Sequence, residues 1–138
     1  MKIKFVVVGK TVEKYLIQGC EEYLKRIKKY VNFEYVVLKD LSPLLQDKSY
    51  KILLDENGKE FTSKEFSIFL EKKMVNLSKD ITFVVGGPYG FDDDIKAISD
   101  FEISLSKMTF SHQMVRLIFL EQLYRAFTIM RGEPYHHQ

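Results

Sequence analysis

Ile81-Thr82-Phe83-Val84-Val85-Gly86-Gly87-Pro88-Tyr89-Gly90-Phe91-Asp92-Asp93-Asp94 is the stretch whose order of residue types decides the fold class. Its first five residues are all β-branched or aromatic and carry no charge, the pattern of a strand buried on both faces. Gly86-Gly87-Pro88 stops that strand. The three aspartates then precede a short helical stretch, where carboxylates favour the positive end of the helix dipole and need no metal to explain them.

Working outward, the same alternation recurs. Ile3 to Val8 reads as a buried strand ended by Gly9. A helix follows, with apolar positions at Tyr15/Leu16, Gly19/Cys20, Tyr23/Leu24, Ile27 and Tyr30/Val31. Lys25, Arg26, Lys28 and Lys29 close it, where cations complement the dipole. Phe33 to Leu38 and Lys51 to Leu54 read as further strands, the latter ended by a turn at Asp55-Glu56-Asn57-Gly58. Thr62 with Glu65 matches a capping box ahead of Phe66, Phe69, Leu70 and Met74. Ile103 to Leu105 is a fifth strand. Met114 to Met130 is the longest helical pattern, with Met114, Ile118, Leu123 and Phe127 as buried candidates and Gly132 and Pro134 ending it. Strands alternating with helices predict an α/β domain with a mainly parallel sheet and helices on both faces, one domain over residues 1–138. The twelve residues from Lys39 to Tyr50 are barely long enough for a helical crossover.

Composition bounds the function. A chain of 138 residues with 46% hydrophobic content fills one core, and at that size an oligomer is useful to bury more apolar surface. No apolar run approaches the roughly 20 residues that cross a bilayer. Met1-Lys2-Ile3-Lys4 leads straight into a strand without a signal-peptide pattern, so a cytoplasmic location is expected. The lone Cys20 suits core packing in a reducing compartment. A net charge of +2 neither requires nor excludes nucleic acid.

In open α/β sheets ligands sit beyond the carboxyl ends of the strands, where glycines let backbone approach them; Gly58 and Gly86-Gly87 occupy such places. Neither a G-x-G-x-x-G fingerprint nor a G-x-x-x-x-G-K-[ST] loop occurs, which removes the ordinary dinucleotide and phosphate-loop sites. No Cys/His set has metal-ligand spacing. The more specific segment is Ser104-Leu105-Ser106-Lys107-Met108-Thr109-Phe110-Ser111-His112-Gln113-Met114-Val115-Arg116. Together with Glu121-Gln122-Leu123-Tyr124-Arg125-Ala126, Arg131-Gly132-Glu133 and Pro134-Tyr135-His136, it closely resembles the RlmH family of the SPOUT superfamily. The likeness extends back through the glycine turn, Leu53 to Gly58 and the first helix.

That resemblance implies a parallel α/β sheet whose C-terminal part threads a trefoil knot, an exception to the rule against knots. It implies S-adenosylmethionine contacts at Leu54, Gly86, Leu105, Ser106, Lys107, Met108, Thr109 and Phe110. It further implies a homodimer paired through the last helix, and methylation of the N3 nitrogen of a pseudouridine in 23S ribosomal RNA within the assembled ribosome. Since N3 carries a proton, the enzyme must position the base and help that proton leave. His136, Tyr135 and Arg131 are the catalytic candidates, on a tail expected to be flexible until RNA arrives. Arg116, Arg125 and His112 are the RNA-binding candidates, because a guanidinium meets phosphate bidentately and stacks on bases. Two of these have plain structural alternatives: Arg125 pairs with Glu121 four residues earlier, and His112 caps a helix or touches the loop before it. His137 lacks motif support. The likeness breaks between Leu41 and Pro43, where relatives carry roughly twenty further residues.

Overall fold

The apolar runs become strands, buried on both faces at the centre of the sheet and partly exposed at its Asn32–Leu38 edge. In the computed structural model, which describes residues 1–137, the strands are Lys2–Val8 (β1), Asn32–Leu38 (β2), Tyr50–Glu60 (β3), Ile81–Val85 (β4) and Phe101–Ser104 (β5). They pair in parallel throughout, in the spatial order β2-β1-β4-β3-β5. All five residues of β4, the central strand, are buried. That burial is why its sequence shows no polar alternation.

The helices are Lys14–Ile27 (α1), Ser63–Asn76 (α2), Asp93–Ile98 (α3) and His112–Met130 (α4). They cover both faces, as expected. On one face Phe5 and Phe83 of the sheet pack with Cys20 of α1, Phe66 of α2 and Phe119 of α4. The Phe119 ring lies 4.8 Å from Phe5 and 4.7 Å from Phe83, which pins α4 across β1 and β4. On the other face Val6, Leu53 and Val84 meet Ile95 of α3 with Leu41 and Leu44. The short Lys39–Tyr50 connection holds only a 3-10 turn at Ser42–Gln46, with Leu44 buried beneath it.

Several boundaries shift for physical reasons. The first helix ends at Ile27 instead of running to Val31, because Asn32 already pairs with Lys2 in the sheet. Asp55-Glu56-Asn57-Gly58 does not end β3. Leu54 and Lys59 both face Ile103 across the ladder, so the four residues between them are looped out as a bulge. Asn57 N donates to Asp55 Oδ1 at 3.0 Å inside it. Only glycine fits at 58, where a Cβ would lie 2.6 Å from the Glu102 carbonyl carbon. The fifth strand is Phe101–Ser104, and α4 begins at His112 with Ser111 as its cap. Of the apolar candidates on α4, Leu123 and Phe127 are buried, whereas Met114 and Ile118 are half-buried. The capping box holds, with Thr62 and Glu65 each serving the other's backbone N–H. The α4 terminus is a Schellman motif: Gly132, at φ +66°, donates to Ile129 O, and Glu133 N donates to Thr128 O.

At the amino end of the sheet, Lys4 Nζ donates to Asp47 Oδ2 at 2.7 Å, with both side chains 19% exposed. Burial pushes the Asp47 carboxyl upward, but hydrogen bonds from Lys4 and Ser49 outweigh it and hold its pKa at about 2. A depressed folded-state value stabilises the fold above the ordinary carboxylate pKa, and the contribution fades as pH falls toward about 2. Asp47→Asn is therefore expected to cost about 2 kcal/mol at pH 7. In chemical denaturation followed across pH, the gap between the two proteins should close in acid.

Candidate functional site

The carboxyl ends of β3, β4 and β5 open into a cavity of about 680 Å³. Its walls come from three chain segments. Leu54, Asp55 and Glu56 belong to β3 and its bulge, Val85 to Phe91 form the turn after β4, and Leu105 to Val115 lead from β5 into α4, with Lys107, Gln113 and Met114 not on the wall. A ligand of nucleoside size suits that volume. Seven of the eight residues expected to contact a cofactor line it: Leu54, Gly86, Leu105, Ser106, Met108, Thr109 and Phe110. The Lys107 side chain instead stands 88% exposed, 4.0 Å from Glu60.

Backbone chemistry shapes the floor. A Cβ on Gly86 would lie 2.6 Å from Gly90 O, so the turn closes only around glycine at that position. Gly90 N donates back to Gly87 O at 3.1 Å, and Gly90 has φ +78°. The loop after β5 is braced by Ser104 Oγ donating to Ser106 O, by Met108 N donating to Ser106 Oγ, and by Thr109 Oγ1 donating to Glu56 at 2.7 Å. Apolar Leu54, Val85 and Leu105 suit a purine face, and the Asp55 and Glu56 carboxylates suit hydroxyls or a cationic centre. His112 adds an Nδ1 that is buried and has no hydrogen-bond partner. Burial and the neighbouring Arg116 cation both lower its pKa, favouring the neutral ring. This donor set fits a nucleoside joined to a charged amino-acid tail. Asp55, Glu56 and the turn residues Pro88 to Phe91 were not among the site residues assigned from the sequence, which named Gly87 only as a place of backbone approach; the bulge that places Asp55 and Glu56 exists only through the β3–β5 pairing.

The three RNA-binding candidates do not form an outward basic face. Arg116 is wholly buried, and its guanidinium donates to Val8 O at 2.7 Å, Gly9 O at 2.8 Å and Thr11 Oγ1 at 3.0 Å. It ties α4 to the end of β1, which corrects its assignment to RNA. Gln113 extends that clamp, accepting from Val12 N and donating to Lys10 O. His112 turns into the cavity, and Ser111, not His112, caps α4 by accepting from Met114 N. Arg125 pairs with Glu121 at 2.8 Å, the structural alternative read from the sequence, and also reaches His136 Nδ1 at 3.0 Å.

The tail is docked, contrary to the expectation of flexibility. Tyr135 OH donates to Glu121 Oε2 at 2.8 Å, lies 3.3 Å from Tyr23 OH, and its ring carries the Arg125 guanidinium at 4.7 Å. Burial, then the hydrogen bonds to Tyr23 and Glu121, raise its phenol well above the ordinary tyrosine range, so it stays a donor. Glu121 lies nine positions along α4 from His112, roughly 13 Å along the axis, and no tail residue lines the cavity. The tail of one chain therefore lies away from that chain's own cavity. Arg131 is farther still, exposed at the helix end with its guanidinium 5.1 Å from the Tyr30 ring. No group of three or more His, Cys, Asp or Glu side chains could hold a metal among the described residues, and no helix is long and apolar enough to cross a membrane.

Comparison with known proteins places this arrangement. The model of a family described as "Predicted SPOUT methyltransferase" matches residues 1–136. The chain is 47% identical to a protein of Parabacteroides distasonis named ribosomal RNA large subunit methyltransferase H, with both chains fully covered. It is also 47% identical to the protein of that name in Cytophaga hutchinsonii, over 99% of this chain and all of the relative. The first alignment runs over 157 positions against 138 residues here, so the relative carries extra residues, in keeping with the break seen in the sequence. Among solved structures, tRNA (m1G37) methyltransferase of Aquifex aeolicus superposes with a TM-score of 0.59 at 18% identity, covering all of this chain and 76% of that one. A probable methylase family protein of Haemophilus influenzae gives 0.60 at 12% identity, covering 99% of this chain and 70% of its own. At those identities the likeness speaks for the fold.

Proposed function

The chain belongs to the SPOUT methyltransferase family, and from that premise we propose that it methylates large-subunit ribosomal RNA using S-adenosylmethionine, at N3 of a pseudouridine in the assembled ribosome. The observation that carries this reading is the cavity. Leu54, the Gly86 turn and the loop from Leu105 to Phe110, far apart in sequence, converge on one 680 Å³ space whose donor set fits the cofactor. The reading includes a trefoil knot in the C-terminal part and residence in the cytoplasm. Full-length relatives named as ribosomal RNA large subunit methyltransferase H support the substrate class.

When bound, the cofactor supplies a methyl group on a sulfonium centre. The protein's own residues do the rest. Leu54, Val85 and Leu105 give apolar surface for the purine, the glycine turn lets backbone approach, and Asp55 and Glu56 complement positive charge. Gly86→Val should collide with the Gly90 carbonyl and deform this floor at a cost of ~1–3 kcal/mol. Calorimetry is expected to show cofactor binding weakened about tenfold or more. Equal affinity in the two proteins would remove the proposed site.

The reading also includes a homodimer. Tyr135 and His136 dock beside Glu121, roughly 9 Å along α4 beyond Val115, the wall residue nearest to it on that helix, and neither lines the cavity, so a tail that serves a cavity serves the one in a second copy. Sedimentation at micromolar concentration should give twice the chain mass, and an active monomer would end this part of the reading. With a net charge of +2 the chain has little electrostatic affinity for naked RNA, so the ribosome must supply shape-specific docking. Mass spectrometry of ribosomal RNA from a strain lacking the protein tests the whole: a methyl group missing from one pseudouridine supports it, and unchanged RNA overturns it.

A further inference from the structure

The hydrogen bonds around the tail fix more than its position. Arg125 lies between two partners, with Nη2 donating to Glu121 Oε2 at 2.8 Å and Nη1 3.0 Å from His136 Nδ1. A guanidinium has five donors and no acceptor and keeps its proton in proteins. The nitrogen that meets it must therefore offer a lone pair. His136 Nδ1 is the acceptor, and the ring carries its proton on Nε2.

Arg125 cannot turn away cheaply. Its guanidinium is held by the Glu121 carboxylate and by the Tyr135 ring at 4.7 Å, while the Tyr135 hydroxyl donates to the same Glu121 oxygen. Tyr23 of α1 closes the group from the other side through the Tyr135 hydroxyl. Charged and titratable groups from α1, α4 and the tail thus all favour one orientation of Arg125.

We infer that Arg125 is a positioning residue that sets His136 as an Nε2–H donor, so that His136 donates a hydrogen bond to a carbonyl oxygen of the substrate imide instead of removing the N3 proton. This rests on the proposed methyltransferase reading and its use of the tail. Neither ring nitrogen is suited to act as a base: Nδ1 is engaged by a cation and Nε2 already carries hydrogen. Donation has its own use. As the N3 proton passes to solvent water, negative charge spreads onto the flanking carbonyl oxygens, and an N–H held on Nε2 by the Arg125 contact at Nδ1 stabilises it there. The arrangement also accounts for the Tyr135 hydroxyl, which spends its proton on Glu121 and so secures the Arg125 partner.

Nitrogen-15 NMR of the free full-length protein tests the tautomer without any turnover. Wild type should show a pyrrole-type Nε2 and a pyridine-type Nδ1 at His136, Arg125→Met should lose that single state, and Arg125→Lys should restore it in part. A proton on Nδ1 in wild type, or a spectrum indifferent to Arg125→Met, would overturn the assignment. Single-turnover methylation of ribosomes then separates donor from base. His136→Gln, which keeps an amide donor and no base, should stay within about tenfold of wild type, while His136→Ala and His136→Glu fall by roughly 10² to 10³. An active His136→Glu beside an inactive His136→Gln would make the residue a base and overturn the donor role alone. Wild-type turnover in His136→Ala would remove the tail from the reaction and this inference with it.

Discussion

Deleting residues 135–138 is expected to slow single-turnover methylation of ribosomes by roughly 10² to 10³, the cost of removing one hydrogen-bond donor to the transition state, while cofactor affinity is unchanged. The reasoning is geometric. The tail touches Glu121, Arg125 and Tyr23, and neither Tyr135 nor His136 lines the cavity, so its loss leaves the cofactor walls complete. Some stability is lost as well, since Tyr135 is half-buried and hydrogen-bonded. Calorimetry and ribosome methylation, run on the same preparation, therefore have to diverge. If affinity and rate fell together, the tail would be a packing element and nothing more. If both stayed at wild type, the substrate role would pass to other residues.

The second large effect concerns Arg116. Arg116→Met should destabilise the fold on the order of 3 kcal/mol, because Val8 O, Gly9 O and Thr11 Oγ1 lose a charged donor and hydrogen bonds to charged groups contribute about 1.5–3 kcal/mol each. For a chain of this length the melting temperature should drop by about 10 °C. Cofactor binding should weaken too, since Arg116 follows directly on the cavity wall at Ser111, His112 and Val115 and anchors that end of α4 to β1. A residue that met phosphate would behave otherwise: melting would be normal, and only the KM for ribosomes would rise, with a smaller salt dependence. Differential scanning calorimetry of the single variant decides between them.

That contrast marks the boundary between sequence and tertiary structure in this protein. Strand and helix identity were legible because burial on two faces leaves uninterrupted apolar runs such as Ile81 to Val85, and because caps such as Thr62 with Glu65 and the Gly132 terminus act within a few residues. The cavity segments were legible through family likeness, since a loop of specific residues such as Leu105 to Phe110 carries its pattern intact. What the sequence could not determine is direction. Arg116, Arg125 and Arg131 carry the same guanidinium, yet one is buried against β1, one holds the tail and one is exposed on Tyr30. Which occurs depends on partners contributed from more than 100 residues away for Arg116 and Arg131, and a one-dimensional pattern holds no record of them. The Asp55 to Gly58 segment shows the same limit. Its residues read as a turn by local preference, and only parallel pairing of β3 with β5 on either side converts that turn into a bulge that brings Asp55 and Glu56 to the cavity wall.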